Sequence, residues 1–187
     1  MAKDVRERMV AGATRLLATK GLQATSFSEV IELTATPRGS IYHHFPGGKD
    51  ELVLAALHES GALLLATMEE SRGKSADEVL DALLSFWRGV LESNECTLGC
   101  AVAAVTIGTE DQALLTAAGE VFAKWQERLT ELYAEGGLSR VAAKDFASHT
   151  LATIEGGVVM ARAQTDLEPF DRAVRMLPRI LGALKQA

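Results

Sequence analysis

The chain has 187 residues, 48% of them hydrophobic and 5% aromatic, with a formal net charge of −6. That length can bury a sizeable core in one or two compact units, and an excess of alanine and leucine over aromatics favours helices. No run of about 18 apolar residues and no signal-peptide core is found, which predicts a cytoplasmic protein with no membrane span, and the two cysteines, Cys96 and Cys100, are expected as thiols rather than a structural disulfide.

Met9, Ala13, Leu16 and Leu17 recur at helical spacing, so residues 4–20 are predicted to form a first helix, which Gly21 is placed to stop. Its expected job is to cover the two helices that follow.

Ser26-Phe27-Ser28-Glu29 has the S-x-x-E form of a capping box and predicts a second helix, with Val30, Ile31 and Leu33 on its apolar side. Thr36 is placed to cap a third helix, with Pro37 at the first position, where its missing N–H has no partner anyway. Within residues 37–45, Ile41 and Phe45 lie four apart and share one side. The opposite side carries Gly39, Ser40 and His43, with Arg38, Tyr42 and His44 on its flanks. Such a face is small in the middle and rich in donors at the rim. A helix in the major groove needs both features, because its donors must reach base edges and phosphates unobstructed. His43 and His44 are neighbours and point about 100° apart, which argues against a shared metal. Pro46-Gly47-Gly48 ends the element, and Lys49-Asp50-Glu51 opens the next.

The segment RGSIYHHFPGGKDEL, residues 38–52, resembles the helix-turn-helix signature of the TetR (tetracycline-repressor) family of transcriptional regulators. Helix, turn, Tyr42, Phe45 and Lys49 fall in register, and the likeness runs over about residues 5–57. It implies that Arg38, Gly39, Ser40 and His43 sit on a recognition helix in double-stranded operator DNA. It further implies that Tyr42 and His44 flank it near phosphates, that Lys49 meets a phosphate, and that Thr25 and Ser28 touch the DNA backbone. Two departures stand out. Ala35 occupies the place of the usual turn glycine, so either its φ is negative or about 1 kcal/mol of strain is carried. Pro37 replaces a common serine and removes one phosphate contact.

Charge adds little. Residues 1–52 hold seven Lys and Arg against six Asp and Glu, a net +1, and the remainder carries −7. The acidic load therefore lies outside the DNA-facing stretch, and screening cuts off distant charges within about 10 Å at 0.1 M salt.

A long fourth helix over 49–70 carries Leu52, Val53, Ala56, Leu63, Leu64 and Met68 and is the natural lever out of the head. Ser75-Ala76-Asp77-Glu78 is a second capping box, opening a fifth helix with Val79, Leu80, Leu83, Leu84, Phe86, Trp87, Val90 and Leu91. Residues 93–99 read as a loop. The short, almost wholly apolar helix at 100–107 is expected at the centre of the second domain. An amphipathic helix over 109–135 ends at Gly136-Gly137, and Ser139 caps the next. Residues 140–164 include Gly156 and Gly157, each costing about 1 kcal/mol against alanine in mid-helix, a sign of close approach by a helix or ligand. The last helix spans 169–185, with Pro178 as a kink.

Gly99-Cys100 before an apolar helix, then a long helix with a tryptophan, is similar to the LmrA and YxaF branch of the same family. That resemblance implies a C-terminal domain that binds a small molecule and forms a homodimer through 140–164 and 169–185. Trp87, Phe122 and Trp125, with Cys100, Thr106 and Glu155, are the pocket candidates. Core packing is the alternative for the aromatics, and an exposed or dimer-rim position for Glu155. For Cys96 and Cys100 the alternatives are a thiol sensor, or a loop thiol and a small core residue.

No G-x-S-x-G, H-E-x-x-H or G-x-x-x-x-G-K-[ST] motif occurs, so neither an enzyme nor a metal or cofactor is expected. The predicted fold class is all-α. A three-helix helix-turn-helix head at 1–48 is linked through the helix over 49–70 to a ligand-binding and dimerisation domain in 49–187. The expected function is a DNA-binding transcriptional regulator, a repressor released from a palindromic operator by a small hydrophobic or aromatic effector. The competing expectation is a ligand-binding or scaffolding protein with only non-specific DNA affinity.

Overall fold

The computed structural model describes residues 2–186. Its helices are α1 (Ala2–Lys20), α2 (Phe27–Thr34), α3 (Arg38–His44), α4 (Lys49–Glu69), α5 (Ala76–Ser93), α6 (Ala101–Gly108), α7 (Gln112–Glu135), α8 (Arg140–Gln164), α9 (Glu168–Val174) and α10 (Leu177–Leu184). No strand occurs among the described residues. The chain divides into two compact units, one of Met1–Ala62 with Cys100–Phe122, the other of Leu63–Gly99 with Ala123–Ala187.

In the first unit α1 packs on α2, α3 and α6. Met9, Ala13, Leu16 and Leu17 are buried on its inner stripe, facing a core that includes Val30, Ile41, Phe45, Leu52, Val53, Ala56 and Leu57. Each such side chain contributes about 1.5–3 kcal/mol by leaving water. Gly21 stops α1 as expected, with φ +80°, a conformation that costs other residues more. Ser26 caps α2 by accepting from the Glu29 N–H at 3.3 Å. The reciprocal arm of that box is absent, because the Glu29 carboxylate takes the Lys20 ammonium at 2.6 Å instead.

The turn between α2 and α3 corrects one expectation and resolves another. Thr36 does not cap α3; its buried hydroxyl is shared with that of Thr34 at 2.8 Å. Pro37 is itself the N-cap, in extended conformation, and the Ser40 N–H bonds to its carbonyl at 2.9 Å. Ala35 is left-handed, with φ 50° and ψ 39°, so the strain anticipated for a missing glycine is carried.

The apolar helix α6 does not lie at the centre of the second unit. It belongs to the first, packed on α1, with Val102 and Val105 buried and Ile107 81% exposed. A Cβ on Gly108 would lie 3.1 Å from that of Leu22, and the Gln23 side-chain amide donates to the Gly108 carbonyl at 3.2 Å. Hydrophobicity required a neighbour for α6 but did not say which. Leu63 likewise departs from its expected place: it is 61% exposed. By length and composition alone α4 is apolar enough to cross a membrane, yet Leu52, Val53, Ala56 and Leu57 are buried in the protein itself.

In the second unit the α5 capping box is complete, with Ser75 N–H to Glu78 at 2.9 Å and Glu78 N–H to Ser75 Oγ at 3.4 Å. Ser139 caps α8 through the Ala142 N–H at 3.3 Å. Helix α8 packs on α5, α9 and α10. The close approach signalled by the paired glycines is made at Gly157, where a Cβ would stand 3.0 Å from the Phe170 ring. Gly156 is exposed, and a Cβ there would meet nothing within 4 Å. The last helix breaks at Arg175 and Met176 rather than kinking at Pro178. Pro178 then falls in the first turn of α10, where a missing N–H does no harm.

Candidate nucleic-acid interface

Helix α3 has seven residues and is fixed from behind. Ile41 and Phe45 are fully buried, and the Arg6 guanidinium lies 5.2 Å from the centroid of the Phe45 ring. That cation–π contact holds α1 against the end of α3 and is worth about 0.5–1 kcal/mol at an exposed site. The spacing of residues in the sequence did not reveal it.

With that side buried, the other is presented to solvent. Arg38, Gly39, Tyr42 and His43 are exposed, and Ser40 and His44 are half-buried. A Cβ on Gly39 would meet nothing within 4 Å, so the middle of the face is open. The 62% exposed Tyr42 packs its ring edge-on against Phe27, centroids 5.4 Å apart, which fixes the phenol beside the start of α2. The His43 and His44 rings lie 5.3 Å apart in a T-shaped pair. The α3 sequence contains no acid and ends on two histidines. Its donors are therefore not neutralised from within.

Ser28 is exposed on the first turn of α2. Thr25 is not on the surface: it is 1% exposed, and its hydroxyl donates to the Gly21 carbonyl at 2.9 Å. Its N–H bonds to Leu22 O at 3.2 Å, so both of its donors serve the turn between α1 and α2. Half-buried Lys49, at the start of α4, sends its ammonium to the Leu22 carbonyl at 2.7 Å.

The six pocket candidates divide between the units. Cys100, Thr106 and Phe122 fall in the first. Cys100 is buried and caps α6, its sulfur accepting from the Ala103 N–H at 3.5 Å. Thr106 is exposed and donates to Val102 O within its own helix, while Phe122 is half-buried. Trp87, Trp125 and Glu155 fall in the second unit, the two tryptophans buried and the glutamate half-buried. That unit also holds a cavity of about 10 Å³, lined by Thr67, Met68, Ser71, Val79, Leu83 and Leu129. It has room for roughly one water and is no formed ligand pocket. An open depression of about 390 Å³ in the first unit is bordered by Gln23, Ile107, Gly108, Thr109 and Glu110.

Neither cysteine is in a disulfide. Burial, and then the charge of Asp166, push the Cys96 thiol up and away from the reactive thiolate.

Residues 9–56 match the family of bacterial regulatory proteins, tetR family, and residues 76–176 match the C-terminal domain of LmrA/YxaF-like transcriptional regulators. An HTH-type transcriptional regulator of Mycobacterium tuberculosis, itself uncharacterized, is 34% identical over 185 residues, covering 95% of this chain and 94% of that one. The HTH-type transcriptional regulator LmrA of Bacillus subtilis is 25% identical, with 95% and 97% covered. Among solved structures, a TetR transcriptional regulator from Chloroflexus aurantiacus superposes with a TM-score of 0.77 at 26% identity, covering 99% of this chain and 96% of that one. The regulatory protein TetR from Rhodobacter sphaeroides gives 0.84 at 20% identity, covering 93% and 97%, a likeness of fold.

Proposed function

The chain belongs to the TetR family of transcriptional regulators, and from that premise we propose that it is a cytoplasmic, homodimeric repressor released from its operator by a small apolar or aromatic effector. The observation that carries this reading is α3 itself: Ile41 and Phe45 are fully buried while Arg38, Gly39 and His43 stand in solvent. A face of that kind suits a major groove, with Arg38, Ser40 and His43 reading base edges past the open middle at Gly39. Tyr42, His44, Lys49 and Ser28 hold phosphates around it. Thr25, turned inward, supports the turn rather than touching DNA through its side chain.

The head is residues 1–48, linked through the helix over 49–70, and residues 49–187 bind the effector and pair the chains. Val141, Val159, Met160 and Met176 are exposed apolar residues of α8 and of the α9–α10 segment, with Gly156 among them. This supports pairing through 140–164 and 169–185 as an isologous interface. Two heads then meet half-sites about one helical turn, or a multiple, apart. The effector acts by favouring a dimer whose heads no longer match that spacing, to the extent that it binds the two states differently.

Selection of genomic fragments by the purified full-length protein tests this. Enrichment of a partly palindromic sequence is expected. The competing reading is a ligand-binding or scaffolding protein with only non-specific DNA affinity; the net charge of +1 over residues 1–52 is a weak bias toward DNA of either kind. Binding that falls with salt but prefers no sequence would establish the competing reading.

A further inference from the structure

The second unit holds a hydrogen-bond donor that its own fold leaves without an acceptor. Trp87, on α5 one turn beyond Leu83, is 5% exposed, and no protein group accepts from its Nε1–H. Its ring stands edge-on to Phe86 with centroids 5.7 Å apart, a contact that orients the indole but does nothing for the N–H. Buried hydroxyls of the same unit do find partners. The Thr130 hydroxyl donates to Gln126 O at 2.7 Å, and the Tyr133 and Thr150 hydroxyls share a bond of 3.4 Å. A buried donor left unmade costs about 1–3 kcal/mol, so the indole carries a penalty that a phenylalanine in its place would not.

The surroundings describe the rest of the ligand. Val79 and Leu83, on the same helix, line the small cavity with Met68 and Leu129, so the packing nearby is mostly apolar and already incomplete. Arg128, a largely buried cation of this unit, has its two terminal nitrogens committed to Glu69 at 2.6 Å and Glu131 at 2.7 Å. Its charge is met by those two carboxylates, while its buried Nε–H, like the indole N–H, has no acceptor in the protein.

We propose that the effector is a neutral, largely apolar molecule carrying a hydrogen-bond acceptor, a carbonyl or ether oxygen or a ring nitrogen, that receives the Trp87 N–H. This rests on the reading that the second unit binds an effector, and it names the chemistry that unit selects. One added hydrogen bond amounts to about a tenfold preference over a ligand of the same shape without the acceptor.

Fluorenone and fluorene, tricyclic probes that differ by one carbonyl, provide the test on the full-length chain labelled with 15N-tryptophan. The two indole signals are assigned with Trp87→Phe. Fluorenone is expected to bind about tenfold more tightly than fluorene and to move the Trp87 indole proton downfield, whereas fluorene does not. In Trp87→Phe the preference disappears while fluorene binding persists. Equal affinities in the wild type, or a preference that survives in Trp87→Phe, overturn the role of Trp87 and leave the effector reading standing. An indole proton already at its hydrogen-bonded position without probe assigns the acceptor to a trapped water and overturns the proposal. If neither probe binds, the unit does not admit apolar aromatics, and both readings fall.

Discussion

The Lys49 ammonium donates to the carbonyl oxygen of Leu22 at 2.7 Å, joining residues 27 positions apart in sequence. The first residue of α4 is thereby tied to the turn that ends α1. An ammonium has three donors, so two remain for a phosphate.

Lys49→Ala should therefore weaken binding to every DNA sequence alike and lower the slope of log affinity against log salt by about one. Lys49→Arg should keep the slope. Fluorescence anisotropy on specific and random duplexes at several salt concentrations checks both, and an unchanged slope in the alanine variant removes Lys49 from the phosphate contacts.

Arg38 and Ser40 should behave differently, because both reach solvent on α3, Arg38 exposed and Ser40 half-buried. Arg38→Ala or Ser40→Ala is expected to relax preference at one or two base pairs by about 1–3 kcal/mol each while leaving the others intact. Sequencing of selected duplexes reads this directly; a uniform loss of affinity would make both residues phosphate contacts.

Ala35 sits at φ 50° without being glycine. Ala35→Gly should raise the stability of the head by about 1 kcal/mol, since glycine adopts that conformation without a Cβ clash. Denaturant unfolding measures it, and a destabilised Ala35→Gly would mean that the backbone carries no strain there.

Gly12 is where α1 meets α2, and a Cβ added there would lie 2.4 Å from the Thr34 methyl. Thr34 has little freedom to move aside, because its hydroxyl bonds to Val30 O at 2.6 Å and to Thr36 at 2.8 Å. Gly12→Ala should cost about 1–3 kcal/mol through overpacking, visible as an earlier unfolding midpoint.

Glu78 gives a pH dependence with a definite sign. The Ser75 hydroxyl, and then its backbone N–H, donate to the carboxylate and hold its pKa below the ordinary 4.5. A depressed folded value means a contribution fully present above the unfolded pKa and lost as pH falls through the lower, folded one. The stability difference between wild type and Glu78→Gln should thus shrink between about pH 7 and about pH 3. A constant difference would show that the carboxylate's charge plays no part in the cap.

The parts that could be read from sequence were those decided within one turn of chain. Ser75 with Glu78, Ser139 before α8, Gly21 after α1, and the Ile41–Phe45 pair depend on neighbours three or four residues away. What escaped was decided across the fold. The bond from Lys49 to Leu22 and the Arg6 guanidinium over Phe45 involve partners that no local pattern names, whereas Thr25 turns inward on a local bond, its hydroxyl reaching Gly21 four residues back. Periodicity likewise required burial of α6 without assigning it to α1, and it could not foresee that Ile107 and Leu63 would face water. Glu29 shows two rules in conflict: a capping box and an ion pair claimed one carboxylate, and Lys20 won it.

Adjacent glycines on α8 have unequal fates, the second wedged against Phe170 and the first left bare. A side chain grown at Gly157 would be felt by a solitary chain as it folds. At Gly156 it would meet no other atom of its own chain within 4 Å. Under the proposed pairing through α8, substituting one or the other separates failure to fold from failure to assemble, and offers a route to a sound protomer that lives alone.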